Sequence, residues 1–270
     1  RPTVGIFLSP QRCFVTSELK CRLKKIAFKV YRRVPWLTLV TITPFDIEPR
    51  YAEVANLGAH DPQYWDLHDG TQIVHPPPSG LSREIVEEAR GRAVLCLPGS
   101  LSHEKGFGFL ADTLAADPGL AQRLLVVAAG KVLPNARGSV ERFTSHGGKL
   151  VDRRLEDAEI ESLYTVADAI WCCYAPGYDQ ASGVFGRAMQ LGVPVVIRSG
   201  TLIEAVASGT SLPVLVGEFG DAARMAKLLS LPLPGRLKGA ELSLHGERIQ
   251  SWRQHFIHVV ENALSGRAAP

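Results

Sequence analysis

The sequence of 270 residues has few cysteines, and they form no recognisable pattern. Cys13, Cys21, Cys96, Cys172 and Cys173 fit neither the paired spacing of a zinc site nor a disulfide framework. Cys96 and Cys172-Cys173 lie in apolar, strand-like runs. They read as buried reduced thiols, which points to a reducing, cytoplasmic compartment. No apolar run approaches the roughly 20 residues that span a bilayer. The opening, Arg1-Pro2-Thr3-Val4-Gly5-Ile6-Phe7, lacks the charged-then-apolar order of a signal peptide. No methionine begins the chain, so the numbering is expected to start inside a longer protein. Zinc-finger spacing, an aromatic RNA-binding motif and a long basic tail are missing, which argues against a nucleic-acid partner. No strand is followed by G-x-G-x-x-G and a later acid, so a dinucleotide-dependent oxidoreductase lacks support.

The composition that remains is that of an ordinary soluble globular protein, 46% hydrophobic and 21% charged. The length suits one large domain or two small ones. The net charge of +3 is concentrated at one end, because residues 1–33 carry nine Lys or Arg against the single acid Glu18. Ser17 is placed to cap a helix running to about Arg33, with Leu19, Leu23, Ile26 and Val30 at helical spacing. Lys20, Arg22, Lys24, Lys25, Lys29, Arg32 and Arg33 lie on or beside it. Such a basic, striped helix over residues 17–33 can dock at an anionic lipid surface as a peripheral contact. The expected arrangement is the plainer one, a solvated helix whose Leu and Ile pack into the first domain.

Strands are expected over Val4–Leu8 and Trp36–Thr43. Pro76 to Pro78 with Ser79-Gly80 then read as a stiff linker, which places a boundary between a domain over 1–78 and another over 79–270. Beyond it, continuous apolar strands alternate with helices. The strands are Ala93–Leu97, Arg123–Ala128, Lys149–Val151, Ala169–Tyr174, Pro194–Ile197 and Leu212–Val216. The helices are Lys105–Ala116, Asp157–Ala167, Gly183–Leu191, Leu202–Ala207 and Ala222–Leu229. Strands without polar alternation, each followed by a helix, predict a doubly wound parallel α/β sheet, and ligands bind such sheets at the carboxyl ends of the strands. A last helix is expected over Glu247–Leu264.

Three strand exits carry candidate chemistry. In Pro98-Gly99-Ser100-Leu101-Ser102-His103-Glu104-Lys105-Gly106, a glycine turn leaves a strand and Lys105-Gly106 opens a helix. Helix amides together with a lysine favour phosphate, although the spacing is not that of a Walker loop. A plain turn with a solvated lysine is the alternative. The loop from Tyr174 to Gly186 places Ser182 as an N-cap and Gly183 where amides can approach a ligand, with Tyr178 and Asp179 ahead of them. Val151-Asp152-Arg153-Arg154-Leu155-Glu156-Asp157 could seat a base or ribose, or form a solvated charged turn, with Asp157 a candidate cap. His75 and His103 lie in loops and are assigned no role.

Together the motifs resemble the donor-binding half of family 4 (GT4-like) glycosyltransferases, over about Gly91 to Val216. Gly99 and Lys105-Gly106 match the family's Gly-Arg turn and Lys-Gly, with Ser100 standing where the arginine is found. Glu161-Ser162-Leu163-Tyr164-Thr165-Val166-Ala167-Asp168-Ala169 and Ala188-Met189-Gln190-Leu191-Gly192-Val193-Pro194-Val195 match two further segments. The family's two glutamates, eight apart, fall on Asp179 and Arg187. An arginine cannot accept ribose hydroxyls, but it can bind phosphate.

The resemblance implies a GT-B fold with a partial or reduced first domain. It implies sugar transfer from a nucleotide-diphosphate sugar to a hydroxyl of a glycan, lipid-linked or protein acceptor. Configuration would be retained, and neither cofactor nor metal would be needed. Lys105 and Asp179 would be catalytic, and Gly99, Ser100, Lys105, Arg153, Tyr178, Ser182, Gly183 and Arg187 would bind substrate. Polysaccharide or glycoconjugate synthesis is the family-level expectation. The competing reading is a catalytically degenerate GT-B module kept for binding, which Ser100 and Arg187 favour.

Overall fold

A computed structural model describes residues 1–15, 17–69, 72–73 and 76–266 of the chain. Contacts divide it into two units, one of 1–66 with 246–270 and the other of 67–245. Pro76–Pro78 fall inside the second unit, and His75 lies outside the described residues.

The first unit holds β1 (Thr3–Phe7), α1 (Leu19–Tyr31), β2 (Leu37–Thr41) and β3 (Leu57–Gly58) in a three-stranded parallel sheet of order β1-β2-β3. Its core includes Val40, Val54 and Ala59. Ser17 is not the cap of α1. Glu18 takes that position and makes no side-chain cap bond. Nor does the apolar stripe pack as expected, for Leu19, Leu23, Ile26 and Val30 are 68%, 57%, 59% and 55% exposed. The inward face carries Cys21 and Phe28 instead, and Phe28 stacks on Phe7 at 3.9 Å between centroids.

The second unit opens with a short antiparallel pair, β4 (His68–Asp69) and β5 (Gln72–Ile73). Helix α2 (Gly80–Ala89) follows, beginning at the glycine read as the end of the linker, over residues for which the sequence predicts no element. Ser79 and Ser82 form a reciprocal capping box there, and Ser79 Oγ also lies 2.7 Å from Ser162 Oγ, so the polar dipeptide begins a helix.

Then come β6 (Ala93–Pro98), α3 (Phe107–Ala116), α4 (Leu120–Arg123), β7 (Leu124–Ala129), α5 (Val140–Ser145), β8 (Lys149–Val151), α6 (Asp157–Val166) and β9 (Ala169–Cys172). They are followed by α7 (Gly183–Gln190), β10 (Val195–Arg198), α8 (Leu202–Ser208), β11 (Val214–Gly217), α9 (Ala222–Leu229) and α10 (Gly239–Ser265). The sheet is wholly parallel, in the order β11-β10-β9-β6-β7-β8. Counted from β6 this is the order 3-2-1-4-5-6 of a Rossmann sheet, with its reversal between β6 and β9.

β6 and β7 are buried almost throughout, because helices cover both faces of the sheet, and Leu95, Val126, Ala128, Trp171 and Val196 form its centre. Two boundaries move for physical reasons. Glu156, not Asp157, caps α6, in a capping box with Glu159. Helix α3 begins at Phe107, two residues later than expected, because Gly106 adopts a left-handed φ of 76°. Helix α10 begins at Gly239, earlier than expected. Its residues to His245 belong to the second unit and the rest to the first. His245 is buried at that point, with Nε2 donating to the Met189 carbonyl at 2.9 Å.

Candidate donor-binding site

The site lies within the second unit, at the carboxyl ends of β6, β9 and β10, where the strand order reverses. Pro98 ends β6 and Gly99 turns away at φ 93°. The Gly99 amide donates to the Ala129 carbonyl at 2.9 Å. A Cβ on the facing Gly130 would lie 1.8 Å from the Gly99 oxygen, so the two strand exits are tightly apposed. Ser100 is exposed at the tip. The buried Ser102 hydroxyl accepts from the Lys105 amide at 3.2 Å, and the Glu104 carbonyl accepts from the Ala175 amide at 3.0 Å, which ties this loop to the exit of β9.

These ties place the lysine. Lys105 Nζ lies 4.3 Å from the centroid of the Tyr174 ring and 4.5 Å from that of Tyr178. The two rings meet edge-on at 5.4 Å and form an aromatic seat for the ammonium. Among the described residues no carboxylate pairs with Lys105. The seat is fixed from below, since the Tyr174 hydroxyl lies 2.8 Å from Ser182 Oγ, and Ser182 in turn caps α7 by accepting from the Phe185 amide. Burial raises the Tyr174 phenol well above its ordinary pKa, so the hydroxyl keeps its proton. Gly183 and the next residue open α7, where helix geometry leaves amides without carbonyl partners inside the helix. A fixed lysine and a helix N-terminus thus flank the reversal, an arrangement that suits a diphosphate.

The other predicted residues are distributed unevenly. Asp179 is half-buried, and its Oδ1 accepts from the Leu202 amide at 2.9 Å, at the start of α8. Arg187 stands half-buried on α7. Arg153 is engaged elsewhere, with Nη1 and Nη2 donating to Glu159 at 2.8 and 2.7 Å. That pairing, foremost, draws the Glu159 carboxyl down to about 2. Burial pushes the thiols of Cys96, Cys172 and Cys173 up to about 12, which disfavours their nucleophilic thiolate form.

Two residues were not anticipated. Glu104 accepts from Asn135 Nδ2 at 3.0 and 3.1 Å beside the first loop. Arg198 ends β10, and its Nε donates to the Tyr174 carbonyl at 3.0 Å. Its one signal in the sequence is a basic residue directly after an apolar strand.

No family model matches the chain, and no curated protein matches it by sequence. Solved structures do. The fold is similar to that of HepE from Anabaena in complex with UDP and glucose, at a TM-score of 0.63 and 17% identity, over 97% of this chain and 72% of that one. HepE in complex with UDP-glucose gives 0.62 and 16% over the same shares, 97% and 72%. WaaG, a glycosyltransferase involved in lipopolysaccharide biosynthesis, gives 0.58 and 14%, over 94% of this chain and 71% of that one. These likenesses establish the architecture as a Rossmann-like, GT-B-type α/β fold.

Proposed function

We propose that this chain carries the donor half of a glycosyltransferase that moves a sugar from a nucleotide-diphosphate sugar to a hydroxyl acceptor. The observation that carries the reading is Lys105, held over two tyrosine rings and, among the described residues, paired with no carboxylate, at the point where the strand order reverses. The fold that this chain shares with HepE, solved with UDP-glucose, supports the same ligand class.

In the reaction, the bond from the anomeric carbon to the diphosphate oxygen breaks and a bond to the acceptor oxygen forms. The acceptor hydroxyl gives up its proton to the departing diphosphate oxygen, which keeps the electron pair of the broken bond. Negative charge grows on the diphosphate, and Lys105 with the amides at the start of α7 offsets it in place. Asp179 positions the sugar, Tyr178 lines its pocket, and Arg187 meets phosphate or ribose. Gly99 and Ser100 let the backbone approach the diphosphate. Arg153 reaches the base or ribose only when its pairing with Glu159 opens. Transfer retains configuration, and no separate cofactor or metal takes part. The acceptor is a glycan, lipid-linked or protein hydroxyl in polysaccharide or glycoconjugate synthesis.

The test is calorimetric titration with UDP, GDP and their sugar conjugates, beside a Lys105→Ala variant. Binding that the variant weakens supports the reading and names the base. No binding to any of them sinks it for this chain. Binding without turnover in the full-length protein would instead favour the degenerate module, for which Ser100 and Arg187 speak.

The exposed stripe of α1 favours one partner in addition, an anionic membrane surface. A cavity of about 540 Å³ beside the helix is lined by Arg22, Lys25, Lys29 and Arg50 together with Phe14 and Ile26, and by Glu53, which pairs with Lys25 and Lys29 at 2.9 and 2.7 Å. Vesicle flotation checks this contact. No helix among the described residues is long and apolar enough to cross a membrane.

A further inference from the structure

Besides Arg187 on α7, read as meeting phosphate or ribose, the loop after β6 has one cation fewer for the diphosphate than the resemblance expects. Lys105 supplies one positive charge, while Ser100 stands where the resemblance expects a second. Arg153, another candidate from the sequence, is spent on Glu159.

A different arginine stands at the same sheet edge. Arg198 is the last residue of β10, and β10 pairs in parallel with β9, Ile197 lying opposite Cys172. The side chain crosses to the exit of β9, where Nε donates to the Tyr174 carbonyl at 3.0 Å. Tyr174 is the residue whose ring seats the Lys105 ammonium. One tyrosine therefore holds both cations, the lysine by its ring and the arginine by its backbone. The two charges act on neighbouring thiols as well, Lys105 on Cys172 and Arg198 on Cys173. Arg198 is half-buried, and among the described residues no carboxylate pairs with it. A guanidinium kept from carboxylates and oriented through Nε leaves its Nη donors for an anion. Among the described residues, their one hydrogen bond is a long one, from Nη1 to the Ser199 carbonyl at 3.5 Å.

We infer that Arg198 is the second diphosphate-binding cation of this site, standing in from β10 for the charge absent at Ser100. The inference rests on the reading of the site as a nucleotide-sugar site. It assigns the ligand contact to phosphate oxygens rather than to base or sugar.

The test uses the whole chain and calorimetry with UDP, UMP and uridine, with GDP, GMP and guanosine in parallel. The variants are Lys105→Ala, Arg198→Gln, Ser100→Arg and the double variant Ser100→Arg with Arg198→Gln. Glutamine keeps a donor for the Tyr174 carbonyl but removes the charge, and thermal melting verifies the fold of each variant. Arg198→Gln is expected to weaken the diphosphate about tenfold or more and the monophosphate less, with the nucleoside unaffected. Ser100→Arg in that background is expected to recover most of the loss.

If the wild type binds no nucleotide, the reading of the site fails and the inference with it. If Lys105→Ala weakens binding and Arg198→Gln does not, the inference alone is overturned. Equal losses for diphosphate and nucleoside overturn it too, since they mark a structural role. A double variant as weak as Arg198→Gln refutes the replacement of the charge at 100.

Discussion

A Cβ at Gly106 would lie 2.2 Å from the carbonyl oxygen of Cys173. The close approach of these residues brings the loop after β6 against the exit of β9 and delivers Lys105, one residue earlier, to its tyrosine seat. Gly106 also holds a φ of 76°, where a side chain is strained. Gly106→Ala is expected to cost about 1–3 kcal/mol of stability and to weaken nucleotide binding beyond that cost. Denaturant melts and calorimetry on the variant measure the two effects. Unchanged affinity would separate the loop from the site.

The seat itself is tested through its hydrogen bond. Tyr174→Phe keeps the ring beneath Lys105 but loses the hydroxyl 2.8 Å from Ser182. The loss is expected to be about 1–2 kcal/mol of stability, with nucleotide binding nearly retained. Ser182→Ala removes that partner and the cap of α7 together, and is expected to cost more and to weaken binding, because the α7 amides lose their anchor. Equal binding losses for the two variants would contradict this order.

His60 gives a pH signature that belongs to the first unit. Its ring stacks on Trp252 at 3.8 Å, and its Nδ1 is buried without a hydrogen-bond partner. Burial is the leading cause that lowers its pKa from 6.5 to about 4; Asp46 opposes it and His255 adds to it. Between those values the unfolded chain binds the proton and the folded chain does not, so stability rises with pH. The contribution is full above about 6.5 and is lost as the pH falls through about 4. At roughly 1.4 kcal/mol per unit it amounts to at most ~3.5 kcal/mol. Urea melts across this range are expected to show an acid-side loss that His60→Phe reduces. The same slope in both proteins would assign the loss to other groups.

The buried strands were legible in the sequence because burial on both faces removes polar alternation. β6, β7 and β9 read as continuous apolar runs, and each lies within about two residues of its expected ends. The helix start at Ser182 was legible for a local reason, since cap and capped amide are three residues apart. Contacts between distant residues were not. Asp179 binds the Leu202 amide 23 residues on, and Arg198 reaches back 24 to Tyr174, so neither is visible until β9 and β10 are known to be neighbours. Helix α2 was not read because Ser79 and Gly80 pass for the end of a proline-rich linker until the reciprocal bonds of Ser79 and Ser82 are seen. The stripe of α1 had correct helical spacing, but periodicity identifies an apolar face without telling what covers it.

That stripe gives the last prediction. Leu19, Leu23, Ile26 and Val30 are each more than half exposed, and on the same helix and just after it Lys29, Arg32 and Arg33 line a cavity of about 340 Å³ with Glu53, which pairs with Lys29 at 2.7 Å. Apolar residues inserted at the headgroup level add to the attraction of each nearby cation for anionic lipid. The chain is expected to float with vesicles rich in anionic phospholipid and to stay behind with neutral ones, the retention falling as salt rises. Leu23→Asp with Ile26→Asp should abolish flotation without lowering the melting temperature, because both side chains already meet solvent. Equal flotation of that variant would mean that charge alone holds the protein to the vesicles. Failure of the wild type to float with anionic lipid would end the membrane proposal and leave α1 as a surface for some other partner.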